Sequence, residues 1–289
     1  MVERDKKRDK KKINTKKLVK TCLIEFAMVL FAIFMFGPIF LAFTMSIQPP
    51  HVVFSFPPKI LPRGLHIQNY VQAFKVVPFG RMMLNSLIVS VFITAGKLFT
   101  GVLSGYAYAN FKFKGDKFSF AILFATLYIP AEIVLIIPLF QVVSSFGWVN
   151  SYQAMIIPFL ASATNTFIFQ QHFKTIPKDF EDAAKIDGAS SIQYLTKVIL
   201  PLSRPIIAGA AVINFTYAWN MYLWPMIACM RDDMKTVQVA INMIMNAESA
   251  NNWAVIMAAT VVALLPTLLI FFFLQDLFVK SLVGTGLKG

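Results

Sequence analysis

Six long apolar segments dominate this sequence and limit what the chain can fold into. A helix needs roughly 20 apolar residues to cross the hydrocarbon core of a bilayer. The segments that reach about this length are 22–47, 82–110, 118–140, 152–171, 203–228 and 253–279. Only 14% of the residues are charged, against roughly 25% in soluble domains. The sequence therefore predicts an all-α, polytopic membrane protein with six transmembrane helices in one transmembrane domain, residues 22–279.

The distribution of lysine and arginine predicts the orientation of these helices, since cytoplasmic loops carry more of both residues. Twenty lie in 1–21, 111–117, 172–204 and 280–289. Six lie in the alternate loops 48–81, 141–151 and 229–252. We therefore expect both termini in the cytoplasm, with a basic tail over 1–21 that faces anionic membrane lipid and a second tail over 280–289.

Several classes of function are excluded by what the sequence lacks. The net charge is +13, but ten basic residues lie in the first 21 positions and no nucleic-acid-binding motif accompanies them. Cys22 and Cys229 have no metal or redox spacing, and the three histidines are scattered along the chain. No phosphate-binding GxxxxGK[ST] pattern occurs. We expect a non-catalytic protein that binds no nucleic acid and carries no cofactor of its own.

One charged segment, residues 172–200, separates the fourth and fifth apolar segments and is predicted to be cytoplasmic. Acidic residues follow Pro177, where they complement the positive end of a helix dipole. Gly188 is a typical helix stop, and Ser190 with Gln193 makes a capping box for a second helix. This helix, glycine turn and second helix suit either a protein-docking surface or a solvated interfacial loop.

Within this segment, Asp182-Ala183-Ala184, Gly188, Val198 and Leu200-Pro201 match the spacing E-A-A-x3-G-x9-I-x-L-P. Asp stands in place of Glu, and Val in place of Ile. The chain resembles the membrane subunits of bacterial binding-protein-dependent ABC importers, of which this pattern is typical. NSLIVS at 85–90, GYAYANFKFKG at 105–115 and WNMYLWPMIA at 219–228 resemble the carbohydrate-uptake permeases, in particular the smaller, second membrane subunit of maltose-type transporters.

The resemblance implies a coupling helix between transmembrane helices 4 and 5 that docks onto a cytoplasmic ATPase dimer. Its docking residues would be Glu181, Asp182, Ala183, Ala184, Asp187 and Gly188. The tail residues Leu287, Lys288 and Gly289 would also contact the ATPase, which would bind the ATP and Mg. The other implied partners are a second, homologous permease and an extracytoplasmic substrate-binding protein, at the bacterial cytoplasmic (inner) membrane.

Polar and aromatic residues within the apolar segments are candidates for the translocation path. An ionisable side chain inside a membrane is costly and is a functional hypothesis by default. Glu132 either faces the path or pairs with a neighbouring helix, and Lys97 is expected to extend toward an interface. Trp219, Asn220 and Tyr222 lie deep in the fifth segment, where they either line the path or form an aromatic belt.

The cargo stays open at this point. An oligosaccharide is our main expectation, because aromatic rings and amides suit sugars. The alternative is glycerol-3-phosphate or a related phosphodiester. Such a cargo favours a cation at the path, and Lys97 is the one cation away from the ends of the apolar segments, which weighs mildly against this alternative. A different class, a secondary transporter driven by an ion gradient, would need paired acids at mid-membrane, and Glu132 alone is weak support for it.

Overall fold

The computed structural model describes residues 15–53, 55, 61–62, 64–129, 134–247 and 252–286, and the side chains from residue 20 to residue 276 within those ranges. All regular structure in these ranges is helical, as predicted. The helices are α1 Thr15–Ser46, α2 Pro50–Val53, α3 Gln68–Val76, α4 Phe79–Asn110, α5 Asp116–Ala125, α6 Ile136–Ser145, α7 Tyr152–Ile156, α8 Ala163–Phe173, α9 Asp179–Ile186, α10 Ser191–Leu202, α11 Arg204–Trp219, α12 Leu223–Ala228, α13 Val237–Ala247 and α14 Trp253–Gly286.

Three helices among the described residues are long and apolar enough to cross a membrane. They comprise Lys20–Ser46 in α1, the whole of α4, and Trp253–Asp276 in α14. These ranges lie close to the first, second and sixth predicted segments. The side chains of α1 are largely exposed over residues 20–41, which suits a helix whose apolar surface faces lipid.

The third, fourth and fifth apolar segments are interrupted, where continuous helices were expected. The fifth segment breaks between α11 and α12, at residues 220–222. Segment 118–140 contains α5, a 3-10 turn at Thr126–Tyr128 and the start of α6. Segment 152–171 contains α7, a 3-10 turn at Ile157–Phe159 and most of α8, whose N-cap hydroxyl, that of Ser162, accepts a hydrogen bond from the Asn165 amide. Because proline removes a backbone donor, Pro158 favours such a break. The number of membrane crossings therefore stays a prediction.

A sharp bend joins the charged segment to the fifth apolar segment. Helices α10 and α11 meet at Ser203 at an angle of 79°, and α10 includes a π-helical turn at Leu195–Ile199. If the bent pair counts as one span, the described residues contain up to four candidate spans. Pro205 starts α11 in its first turn, where the missing N–H has no helical partner to lose.

Helix α4 packs closely against α8 and α11 at the centre of the structure. A Cβ atom added at Gly101 would lie 2.6 Å from Asn165 Cβ, and one at Gly105 would lie 2.7 Å from Phe169 Cβ. Small residues let helix backbones approach to such distances in membrane proteins. The hydroxyls of Ser104 and Thr166 also share a hydrogen bond of 2.7 Å. The α4–α8 contact therefore depends on glycine.

Outside these spans, the predicted outer loops contain ordered helices. The expected short helix near Ile67–Phe74 is observed as α3, and α13 lies in the segment 229–252 that was expected to be a loop. Val237, Ala240 and Ile244 of α13 are buried in the core. The side-chain amide of Asn85 holds the preceding turn by donating to the carbonyls of Asp233 and Lys235.

Candidate functional site

The predicted docking segment folds as helix α9, a glycine turn and helix α10. Asp179, Glu181 and Asp182 occupy the first turn of α9, where carboxylates stabilise the helix through its dipole. The Glu181 carboxylate pairs with the Lys185 ammonium over 2.7 Å, and this hydrogen bond raises the pKa of Lys185. Because Lys185 is largely exposed, the ion pair contributes little to folding.

Gly188 ends α9 in a left-handed conformation, with φ of 71°. The amide of Gly188 donates to the carbonyl of Lys185 at 3.1 Å, and the amide of Ala189 donates to that of Ala184 at 2.9 Å. This pair of hydrogen bonds is the Schellman motif. No atom lies within 4 Å of a Cβ added at Gly188, so backbone geometry rather than space requires glycine here.

The capping box predicted at Ser190 is present. The Ser190 hydroxyl accepts a hydrogen bond from the Gln193 amide at 3.3 Å, and the Gln193 side chain accepts one from the Ser190 amide at 2.8 Å. The box starts α10 two residues after the glycine turn. The direction of α9 relative to α10 is therefore fixed by short-range hydrogen bonds.

One face of α9 is apolar and exposed. Phe180 is 46% exposed and Ile186 is 86% exposed, and Ala183 lies between them at three-residue spacing and is also exposed. Residues three apart on a helix are neighbours on its surface. A side chain such as Ile186 gains from burial against a partner, so this face suits the docking of another protein.

Another side of α9 packs on the protein itself. Ala184 packs against the core cluster that contains Tyr106 and Tyr194. The Tyr106 hydroxyl, on α4, donates to the carbonyl of Ser191 at 3.0 Å. Burial raises the pKa of Tyr194, and the nearby Glu181 carboxylate raises it further. Through these contacts the docking segment is attached to the end of α4.

A cavity of about 710 Å³ lies beside the break between α11 and α12. Its lining includes Lys97, Thr216, Tyr217, Asn220, Tyr222 and Trp224, with apolar side chains from α6 and the α7–α8 connection. The volume lies within the range of about 300–1,000 Å³ that small-molecule sites occupy. The cavity can therefore admit a small polar molecule.

The predicted path residues fall in different places. Asn220 and Tyr222 line the cavity. Trp219 lies in the core instead: it is 2% exposed, its indole donates to the carbonyl of Ala263 at 3.0 Å, and its ring stacks on Phe215. Glu132 and the predicted tail contacts Leu287, Lys288 and Gly289 lie outside the described residues.

A match to a family model decides what kind of protein this is. Residues 97–284 match the family described as binding-protein-dependent transport system inner membrane component. The chain belongs to this family. The match includes the docking segment, the cavity-lining residues from Lys97 to Trp224 and most of α14. The identification of an importer permease from the sequence is thus confirmed.

Several relatives resemble this permease over most of its length. The sn-glycerol-3-phosphate transport system permease protein UgpE of Pectobacterium atrosepticum is 35% identical over 256 residues, which cover 86% of this chain and 90% of the relative. The protein of the same name from Salmonella typhi is 36% identical, with the same coverage. The Escherichia coli O157:H7 protein of this name is 35% identical.

Solved structures share the fold of the permease. A chain of a bacterial ABC transporter involved in the import of the acidic polysaccharide alginate superposes with a TM-score of 0.78 at 23% identity, covering 92% of this chain and 99% of that one. A chain of an alginate transporter in complex with a pentasaccharide-bound periplasmic protein gives a TM-score of 0.65 at 15% identity. At these identities the likeness concerns the fold alone.

Lys97 is another residue of the permease that the structure places differently from the sequence expectation. We expected its side chain to extend toward a membrane interface, yet it is only 8% exposed. Its ammonium lies 3.9 Å from the centroid of the Tyr217 ring. The signal available in the sequence was its position in the middle of a long apolar segment, where an ionisable group is a functional hypothesis.

Proposed function

We propose that this chain is the permease subunit of an ATP-driven importer and that its cargo is sn-glycerol-3-phosphate or a related phosphodiester. The permease moves the cargo across the bacterial cytoplasmic membrane, which it crosses several times. It performs no catalysis, and the ATP and Mg are bound by the ATPase. Four partners act with it: a second, homologous permease, two ATPase subunits and an extracytoplasmic substrate-binding protein.

The exposed apolar face of α9 is the observation that carries the ATP-driven part of the proposal. Phe180, Ala183 and Ile186 present a surface that is exposed in the described part of the chain, and Ala184 of α9 packs against the cluster that contains Tyr106 of α4. An ATPase subunit that grips α9 moves α4 and α10 with it. Closure of the ATPase dimer thereby changes the side of the membrane to which the cavity opens.

The relatives are named as sn-glycerol-3-phosphate permeases, and this supports the proposed cargo. Identities of 35–36% over 86% of this chain connect it to glycerol-3-phosphate permeases. Our main expectation, an oligosaccharide, has weaker support than this alternative, because the alginate importers resemble the chain at 15–23% identity. The composition of the cavity agrees with the alternative, since Lys97 provides a positive charge for a phosphate group.

Uptake into proteoliposomes tests the proposal. The permease is reconstituted with its second permease, the ATPase and the binding protein, and radiolabelled sn-glycerol-3-phosphate or a labelled maltooligosaccharide is supplied on the binding-protein side. We expect uptake of glycerol phosphate that requires hydrolysable ATP. Uptake of the oligosaccharide instead would overturn the cargo, and uptake driven by an ion gradient without ATP would overturn the mechanism.

A further inference from the structure

We propose that Lys97 is the residue that recognises the phosphate group of the cargo inside the cavity. This inference rests on the proposed function and assigns the selectivity for an anionic cargo to one side chain of the permease.

Lys97 lies near the middle of α4, one of the three long apolar helices in the described part of the chain. At 1.5 Å per residue, it is about 27 Å from Phe79 and about 20 Å from Asn110, the two ends of α4. A charge at this depth is expensive, and such residues generally face a bundle interior or a water-filled cavity. Lys97 does so, since it lines the cavity.

The surroundings of Lys97 suit a site for an anion. Lys97 is the one charged residue among the side chains that line the cavity in the described part of the chain. The Tyr217 ring, 3.9 Å from the ammonium, stabilises the positive charge through its π-electrons. Because the apolar wall lowers the local dielectric, the attraction of this charge for a phosphate is stronger than in water.

The break between α11 and α12 provides polar groups for the remainder of the cargo. Helix α11 ends at Trp219 and α12 begins at Leu223, so Asn220 and Tyr222 lie in non-helical backbone at the cavity wall. The Asn220 side chain accepts a hydrogen bond from Gln238 at 3.0 Å, which fixes its position. Interrupted helices form substrate sites in many transporters, and an amide with a phenol suits glycerol hydroxyls.

Replacement of the charge tests this inference. Complexes with Lys97→Gln, Lys97→Arg and Lys75→Gln are assembled with the same partners. Lys75→Gln is the control, because it removes an exposed positive charge from α3, away from the cavity. ATP-dependent uptake is measured for sn-glycerol-3-phosphate, which carries up to two negative charges, and for a glycerophosphodiester, which carries one. The ratio of the two uptake rates is the readout, since it does not depend on how much complex assembles.

Lys97→Gln is expected to lower glycerol-phosphate uptake about tenfold or more. The uptake rate of the diester should fall less, so the ratio of the two rates shifts toward the diester. Lys97→Arg and Lys75→Gln should keep the wild-type ratio. An unchanged ratio in Lys97→Gln overturns the inference, and so does loss of assembly in Lys97→Gln with normal assembly in Lys97→Arg, because the charge then serves packing. A wild-type complex that takes up neither phosphate compound overturns the proposed cargo instead.

Discussion

The hydroxyl of Tyr106 donates a hydrogen bond to the carbonyl of Ser191 over 3.0 Å. This contact joins the end of α4 to the first residue of α10, shortly after α9 and its glycine turn. Tyr106 is 7% exposed and its ring also lies near that of Tyr194. We therefore expect a displacement of α9 by a partner to reach α4, and with it Lys97 and the cavity, through this partly buried contact.

Tyr106→Phe should weaken this connection while leaving the ring in place. The Ser191 carbonyl keeps its helical hydrogen bond from the Leu195 amide, so loss of the Tyr106 bond should cost about 1 kcal/mol. We expect less cargo imported per ATP hydrolysed, which is measured by parallel uptake and phosphate-release assays on one proteoliposome preparation. Tyr108→Phe is the matched control, because its hydroxyl bonds to Ser119 on α5. Equal effects of the two changes would contradict a special role for Tyr106.

Gly188→Val should abolish most coupled transport, whereas Gly188→Asn should retain it. Valine at a φ of 71° costs roughly 1–2 kcal/mol or more, while asparagine tolerates this conformation. The Cβ atom of either side chain has no neighbour within 4 Å, so the two variants differ in backbone preference. The measurement is ATP-dependent uptake by complexes of equal ATPase content. Normal uptake by Gly188→Val would show that coupling does not require the Schellman turn.

Gly105→Ala should destabilise the permease, because the added Cβ would lie 2.7 Å from Phe169 Cβ and 2.9 Å from the Gln170 amide nitrogen. Overpacking of this kind costs about 1–3 kcal/mol. Gly37→Ala is the control: no atom lies within 4 Å of its added Cβ, and alanine favours a helix more than glycine does. The melting temperature of the purified protein in detergent should fall for the first variant only. A fall in both would indicate a general sensitivity of the helices to alanine.

Cys229 should resist thiol reagents in the folded protein. Its side chain is fully buried, and burial raises the pKa of its thiol to about 11. At neutral pH only about one molecule in 10⁴ would carry the reactive thiolate. Maleimide labelling of a Cys22→Ser variant should therefore be slow at pH 7 and rapid after denaturation in detergent. Rapid labelling of the folded protein at pH 7 would mean that this end of α12 opens readily.

The long helices and the fold of the docking segment could be predicted from the sequence, because the signals for them are local. Continuous apolar windows predicted α1, α4 and α14, and the glycine and capping-box positions predicted the turn between α9 and α10. Each of these features depends on residues that are close in sequence. The hydrogen bonds at Gly188 and Ser190 needed no tertiary contact to be foreseen.

The interruptions and the cavity could not be predicted in the same way. A hydropathy window averages over Pro158 and Ser162, although these residues lie in the interruption between α7 and α8. The separation of Trp219 from Asn220 depends on which side of α11 faces α14, as the hydrogen bond to Ala263 demonstrates. The position of Lys97 over Tyr217 likewise arises from the packing of α4 against α11. These outcomes depend on contacts between residues that are far apart in sequence.

Cross-linking from the exposed face of α9 is the most direct test of the central claim, that an ATPase drives this permease by binding that face. In a Cys22→Ser background, Ile186→Cys places a thiol at a position that is 86% exposed, and Met230→Cys places one at a position that is 66% exposed, in the turn after α12. The assembled complex is treated with a short thiol-to-amine cross-linker. We predict that Ile186→Cys is joined to the ATPase subunit and that Met230→Cys is not. Labelling of the ATPase from Met230→Cys alone, or from neither position, would contradict the account.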